Sequence, residues 1–321
     1  MLFDPVLKKT SALFAAMLLM TAAWGFLHLP GASMQMATFA FLSSAALCNV
    51  PDLNSRIRRC LQMVCGTAAM QFFISCTADY PFVRLIVCIL FSFLILTLVH
   101  DRQCAIIILL GGYLTLFTPP GVTAALNRTL DLAFAGVVIL LVTSVCNFFV
   151  SSSTGAAQTE TPYTFRQKSI ITAELAAGFI ISLFFKHEQS VWIMLTILFI
   201  HMAENPQADA AQLTRERLAA TPAGILLGGI YLAAFCSTNY RMIYVVPFAG
   251  TLSFFVLYLK NNYFLFTLFF MFTLTLFTDW MLGTGSRFHF TEILFVRSIA
   301  SVIGGVLLLC GKNFMQKDMI S

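Results

Sequence analysis

The sequence predicts an all-α integral membrane protein of about twelve transmembrane helices, arranged as two parallel six-helix repeats. Three observations carry that expectation. Hydrophobic residues make up 59% of the chain and charged residues only 10%, against roughly 25% charged in ordinary soluble domains. Apolar runs of membrane-crossing length recur from end to end, separated by short charged or Pro/Gly-rich breaks. Finally, LTLFT stands at 114–118 and again at 274–278, and the surroundings of the two copies correspond.

A soluble core of this length could not hide 33 Phe residues, whereas a bilayer core about 30 Å thick accepts them in helices of roughly 20 residues. Candidate spans lie near 10–28, 34–49, 60–77, 82–99, 103–118, 129–150, 169–186, 190–203, 217–236, 241–259, 262–280 and 293–311. Lys8 and Lys9 before the run from Ser11 to Leu29 superficially resemble a secretory signal. The run is long, lacks a small-x-small site before a polar mature chain, and reads as the first span. The second and eighth runs are short, which suits helices that are tilted or packed inside protein.

With twelve spans, both termini and the even-numbered connections share one side of the membrane. That side collects thirteen of the nineteen Lys and Arg residues, so the positive-inside bias places both termini in the cytoplasm. The polar stretch SSSTGAAQTETPYTFRQK reads as a cytoplasmic linker over 151–168, between a first repeat at 1–150 and a second at 169–321. No Walker A or Rossmann glycine pattern occurs. The nine cysteines form no CxxC pair and no Cys/His cluster with metal spacing, so neither a metal nor a cofactor is expected.

Laid side by side, the halves repeat in order. Arg59 precedes Gly66 by seven residues in the third span, as Arg217 precedes Gly224 in the ninth. VRLIV in the fourth span matches YRMIY in the tenth, pairing Arg84 with Arg241. The fifth and eleventh end in LTLFT, and Arg128 precedes Gly136 by eight residues as Arg297 precedes Gly305. Thr38 and Thr196 fall in the register of Arg59 and Arg217. Six spans per half is an even number, so both copies enter the membrane in the same direction.

This arginine–glycine phrase, written twice in each six-span half with a linker between halves, resembles the fusaric acid resistance and aromatic acid exporter family. That superfamily is in turn similar to the plant aluminium-activated malate transporters, which have six-span subunits. The resemblance covers nearly the whole chain and implies an inner-membrane transporter of organic anions. It also implies hand-over to a periplasmic adaptor (membrane fusion) protein and an outer-membrane channel. Many members carry sizeable cytoplasmic domains after their membrane halves, and here only the linker and a short tail stand in those places.

Arg84, Arg128, Arg241 and Arg297 begin spans on the non-cytoplasmic side, where four guanidiniums around a central axis would suit a carboxylate. Interface anchoring by snorkelling is the competing reading, and Asp131, one turn after Arg128, would lower the local positive charge. Arg59 and Arg217, among other basic residues on the cytoplasmic side, suit either headgroup contact or a vestibule that gathers anions. Glu174, in SIITAELAAGF, is the most interior-looking acid and the candidate for proton coupling, with His201 and Glu204 as a proton access point. Its counterpart in the first half falls near Ala15, leaving the acid one-sided.

These features favour a secondary exporter of aromatic or other hydrophobic organic anions, exchanging protons. A passive anion channel and a non-transporting assembly subunit are the alternatives. No Ser/His, paired-acid or metal constellation recurs at membrane depth, so an enzyme is disfavoured. The expected partners are a small organic anion, protons and the adaptor, with a homo-oligomer possible and no nucleic acid.

Overall fold

The computed structural model describes residues 10–19, 34–47, 50, 52–117, 121–149, 162–185, 188–203, 210–235, 239–260, 262–282 and 288–317. Every regular element among them is helical. The helices are α1 (Thr10–Leu19), α2 (Met34–Leu47), α3 (Leu53–Cys76), α4 (Pro81–Leu98), α5 (Arg102–Tyr113), α6 (Val122–Phe149), α7 (Phe165–Phe185), α8 (Trp192–Ala203), α9 (Ala210–Phe235), α10 (Asn239–Lys260), α11 (Tyr263–Leu282) and α12 (Phe288–Lys317). A helix thus occupies each of the twelve places at which the sequence predicts a span.

Five helical stretches among the described residues are long and apolar enough to cross a membrane: Pro81–Leu98, Val122–Phe148, Phe165–Phe185, Ala211–Ala234 and Leu294–Lys312. Five further apolar stretches, including Arg102–Leu116 and Trp192–Met202, are shorter. The chain is a multi-pass membrane protein. Its outward stripes agree with that: on α4, Phe82, Ile86, Leu90, Leu94 and Leu98 are exposed at four-residue spacing, a row that lipid covers and water would penalise.

Four helices start earlier than the apolar runs suggest. Arg59, Arg128, Arg217 and Arg297 lie about two turns inside α3, α6, α9 and α12, not at their first residues. The sequence reading stopped at the first charge, whereas a helix continues past the apolar slab wherever its first amides are satisfied. Asp52 does this for α3: its carboxylate accepts the Ser55 amide at 2.8 Å, and that amide holds the carboxyl below its usual range. Thr164 and Gln167 form a reciprocal cap on α7, the Gln167 side chain accepting the Thr164 amide at 2.9 Å and the Thr164 hydroxyl accepting the Gln167 amide at 3.3 Å. Residues 165–168 therefore open α7, and the remainder of the expected linker over 151–161 lies outside the described residues.

Contacts group the chain into two compact units. The first unit is drawn from Met1–Cys65, Asn127–Thr159 and Ala223–Phe290, the second from Gly66–Leu126, Glu160–Pro222 and Thr291–Ser321.

In the first unit, α10 packs along α11 through Phe254, Phe266 and Phe270, with ring centroids 4.9 Å apart for Phe254 and Phe266. Gly224 on α9 approaches α11 so closely that a Cβ there would strike the Leu268 carbonyl oxygen and come within 2.9 Å of the Met271 Cβ. In the second unit, Gly66 on α3 meets only the Ile108 side chain of α5, at 3.1 Å. Backbone cannot step aside as a side chain can. Gly224→Ala is therefore expected to cost about 1–3 kcal/mol, read as a lowered melting temperature of the purified protein, and Gly66→Ala clearly less.

The second unit is built around two short helices, α5 and α8, which pack on each other. Residues 104–115 and 190–201 are buried throughout. Both sequences, RQCAIIILLGGY and WIMLTILFIHMA, are apolar on nearly every side, the pattern of a helix enclosed by others. Gln71 donates to the Gly111 carbonyl at 2.9 Å, and the Tyr113 and Ser92 hydroxyls lie 3.0 Å apart, tying α3 and α4 to α5. LTLF closes α5 as a 3₁₀ turn at Leu114–Phe117, whereas its second copy continues as α-helix inside α11. Pro119 and Pro120 follow the first copy, and the residue before a proline is driven out of helical conformation.

Candidate anion and proton site

In the second unit the contacts of Arg217, Arg297 and Glu174 all reach α8. Trp192, Thr196 and Phe199 recur at helical spacing and share one side of it. Arg297 of α12 stacks on Trp192, its guanidinium carbon 4.7 Å from the ring centroid. Arg217 of α9 stacks on Phe199 at 5.0 Å and donates through Nε to the Thr196 hydroxyl at 3.4 Å. Thr196 Oγ1 in turn reaches Ser301 at 3.4 Å, one turn after Arg297 on α12. Arg217 is 0% and Arg297 2% exposed, so both lie inside the unit against aromatic faces, where a cation–π contact is worth about 2 kcal/mol or more.

His201 sits nine residues after Trp192, about two and a half turns, and so faces the opposite side of α8. There its Nε2 lies 2.8 Å from Glu174 Oε2. Both side chains are buried. Glu174 Oε1 has no hydrogen-bond partner among the described residues. The approach of the helices is set by glycine: a Cβ on Gly178 of α7 would lie 3.1 Å from Ile193 Cγ2, and one on Gly304 of α12 would lie 2.7 Å from the Ile193 carbonyl oxygen. Glu174 is one turn before Gly178, which brings its carboxylate level with the far end of α8.

The remaining site residues fall as follows. Arg84, on α4 in the second unit, is half-buried and within Coulombic reach of Asp79 and Cys88. Arg128, on α6 in the first unit, is 7% exposed, with Asp131 within Coulombic reach as its spacing suggested. Arg59, on α3, is half-buried. Arg241 stands in the first turn of α10, and its side chain lies outside the described residues, as does Glu204. Arg217, expected beside a solvated vestibule, is instead fully enclosed. Trp192 carries Arg297.

Sequence reasoning paired Arg217 with Arg59 and Arg297 with Arg128 by repeat position, and did not foresee that Arg217 and Arg297 flank one helix. The register of Thr196 with Thr38 was the available signal. The first unit adds an open apolar groove of about 520 Å³ lined by Phe14, Val245, Phe248, Leu252, Phe269 and Phe272. Among the described residues no group of three or more His, Cys, Asp or Glu could hold a metal ion.

No match is found among curated proteins or among solved structures. The model of the fusaric acid resistance protein-like family matches residues 175–311, from α7 into α12, and this is a family of membrane transporters. The second half of the chain thus carries the fusaric acid resistance protein-like signature, which supports the family resemblance read from the arginine–glycine phrases.

Proposed function

We propose that the protein is a secondary exporter of aromatic or other hydrophobic organic anions across the inner membrane, with proton movement through Glu174 and His201 as its driving step. The observation that carries this reading is the 2.8 Å carboxylate–imidazole contact buried inside the second unit. An ionisable pair at membrane depth is expensive to keep, and imidazole exchanges its proton near neutral pH. Arg217 and Arg297, held over their aromatic partners, supply planar donors for a carboxylate. Arg84, Arg128 and Arg241 are the further anion-binding arginines of this reading, Arg59 belongs to its vestibule, and Phe-rich walls take the ring. Both termini face the cytoplasm, and a periplasmic adaptor receives the cargo.

The test is flux from proteoliposomes loaded with benzoate. An imposed pH gradient is expected to drive benzoate against its own gradient, with little uncoupled current. Large anion currents indifferent to the pH gradient would replace the exporter by a passive channel. No flux and no current, from protein shown to be folded, would leave an assembly role.

A further inference from the structure

We infer that the two compact units are copies of one six-span pattern that have exchanged their middle segments, and that the second copy holds a carboxylate–imidazole pair, Glu174 and His201, at the positions of Ala16 and Ser43 in the first, for which Gly311 makes the room. Titration of the pair rests on the exporter reading; the exchange does not.

A shift of 158 positions, the spacing of Arg59 and Arg217, carries Met1–Cys65 onto 159–223, which is the Glu160–Pro222 segment of the other unit to within a residue. The same shift carries Gly66–Leu126 onto 224–284, most of Ala223–Phe290. The spacing of Arg128 and Arg297, 169 positions, carries the start of Asn127–Thr159 to within several residues of the start of Thr291–Ser321. Each unit therefore takes its first and last segments from one half and its middle segment from the other.

Helix contacts repeat in the same register. Gly66 meets Ile108 in the second unit and Gly224 meets Leu268 in the first. The glycines are separated by 158 positions, and their partners by the 160 that separate the two LTLFT stretches. Likewise a Cβ on Gly112 would strike the Met70 side chain, and one on Gly228 would lie 3.4 Å from the Phe272 carbonyl oxygen. Met70 corresponds to Gly228 and Gly112 to Phe272 by the same two shifts.

The titratable pair breaks this equivalence in a compensated way. The 158-position shift matches Glu174 with Ala16 and His201 with Ser43, and the 169-position shift matches Gly311 with Val142. In the first unit, Ala16 and Val142 pack together with Ala12 in a buried apolar cluster. In the second, a Cβ on Gly311 would land on Glu174 Oε1 and within 3.0 Å of Ile170 Cγ2. Side-chain volume has moved from one helix to the other: Ala and Val where the core is apolar, Glu and Gly where it is ionisable. Gly311 is thus a positioning residue, its hydrogen allowing the carboxylate to lie beside α12 and reach His201. Beside Arg166 and Lys168 on α7 itself, the other titratable side chains described on the elements packed around α7 and α8 are Arg84 and Cys88 on α4, Arg102, Cys104 and Tyr113 on α5, Arg215, Glu216, Arg217 and Tyr231 on α9, and Arg297, Cys310 and Lys312 on α12.

The experiment is a double-mutant cycle on the full-length protein in detergent, reading melting temperature and its change with pH. Gly311→Val and Glu174→Ala should each lower the melting temperature, and the double variant should recover most of the loss, because it rebuilds the packing of Ala16 and Val142. If the pair titrates, the melting temperature of the double variant should also change less with pH than that of the wild type. If Gly311→Val does not fold, Gly311→Ala with Glu174→Ala gives the same comparison. Additive losses would overturn the exchange. Recovery with an intact pH response would overturn the assignment of titration to this pair. Recovery by the double variant, with a wild-type protein that moves no benzoate, would leave the exchange standing and remove the exporter reading alone.

Discussion

Glu174→Gln is expected to leave a folded protein that no longer converts a proton gradient into an anion gradient. With one proton exchanged per cycle, a one-unit pH difference sustains about a tenfold difference in anion concentration. The variant should sustain none, while passive exchange of labelled benzoate continues. Gln keeps the shape of Glu and can hydrogen-bond His201 at the position now occupied by Oε2, so the loss reads as loss of the titrating group and not of packing. His201→Gln should reproduce it. Undiminished accumulation by the Glu174→Gln protein would remove this residue from the coupling step.

Arg297→Ala is expected to give the largest fall in stability, about 2–5 kcal/mol, because it empties a fully enclosed site against Trp192. Arg297→Lys separates structure from function: the charge stays, but the planar fork that can grip a carboxylate with two hydrogen bonds does not. The Lys variant should melt closer to wild type than the Ala variant yet transport benzoate poorly. Paired measurements of melting temperature and initial flux check this. Full transport by Arg297→Lys would reduce Arg297 to a staple between α12 and α8.

The positions of the described helices were legible because a long apolar run in lipid must satisfy each amide within its own segment, which a helix does. Their starts were less so. Arg59 and Arg128 marked the ends of apolarity, while Asp52 and the residues before Arg128 carry the helices further out. Glu174 and His201 were each singled out as ionisable groups in apolar surroundings, which is a property of composition. That they meet depends on Gly178 letting α7 close on α8, a contact between segments with no shared motif.

The sequence by itself determined a multi-pass helical membrane protein, the arginine–glycine phrases and their order, and the residue types able to hold an anion and a proton. These follow from local chemistry: the apolarity of a run, the spacing of a repeat, the charge of a side chain. Only the tertiary structure decided that Arg217 and Arg297 lie on aromatic faces of one short helix, with the carboxylate–imidazole pair on its opposite side. Side chains far apart in the chain become neighbours through close helix packing, and here that packing is fixed by glycines whose role shows only once their neighbours are known.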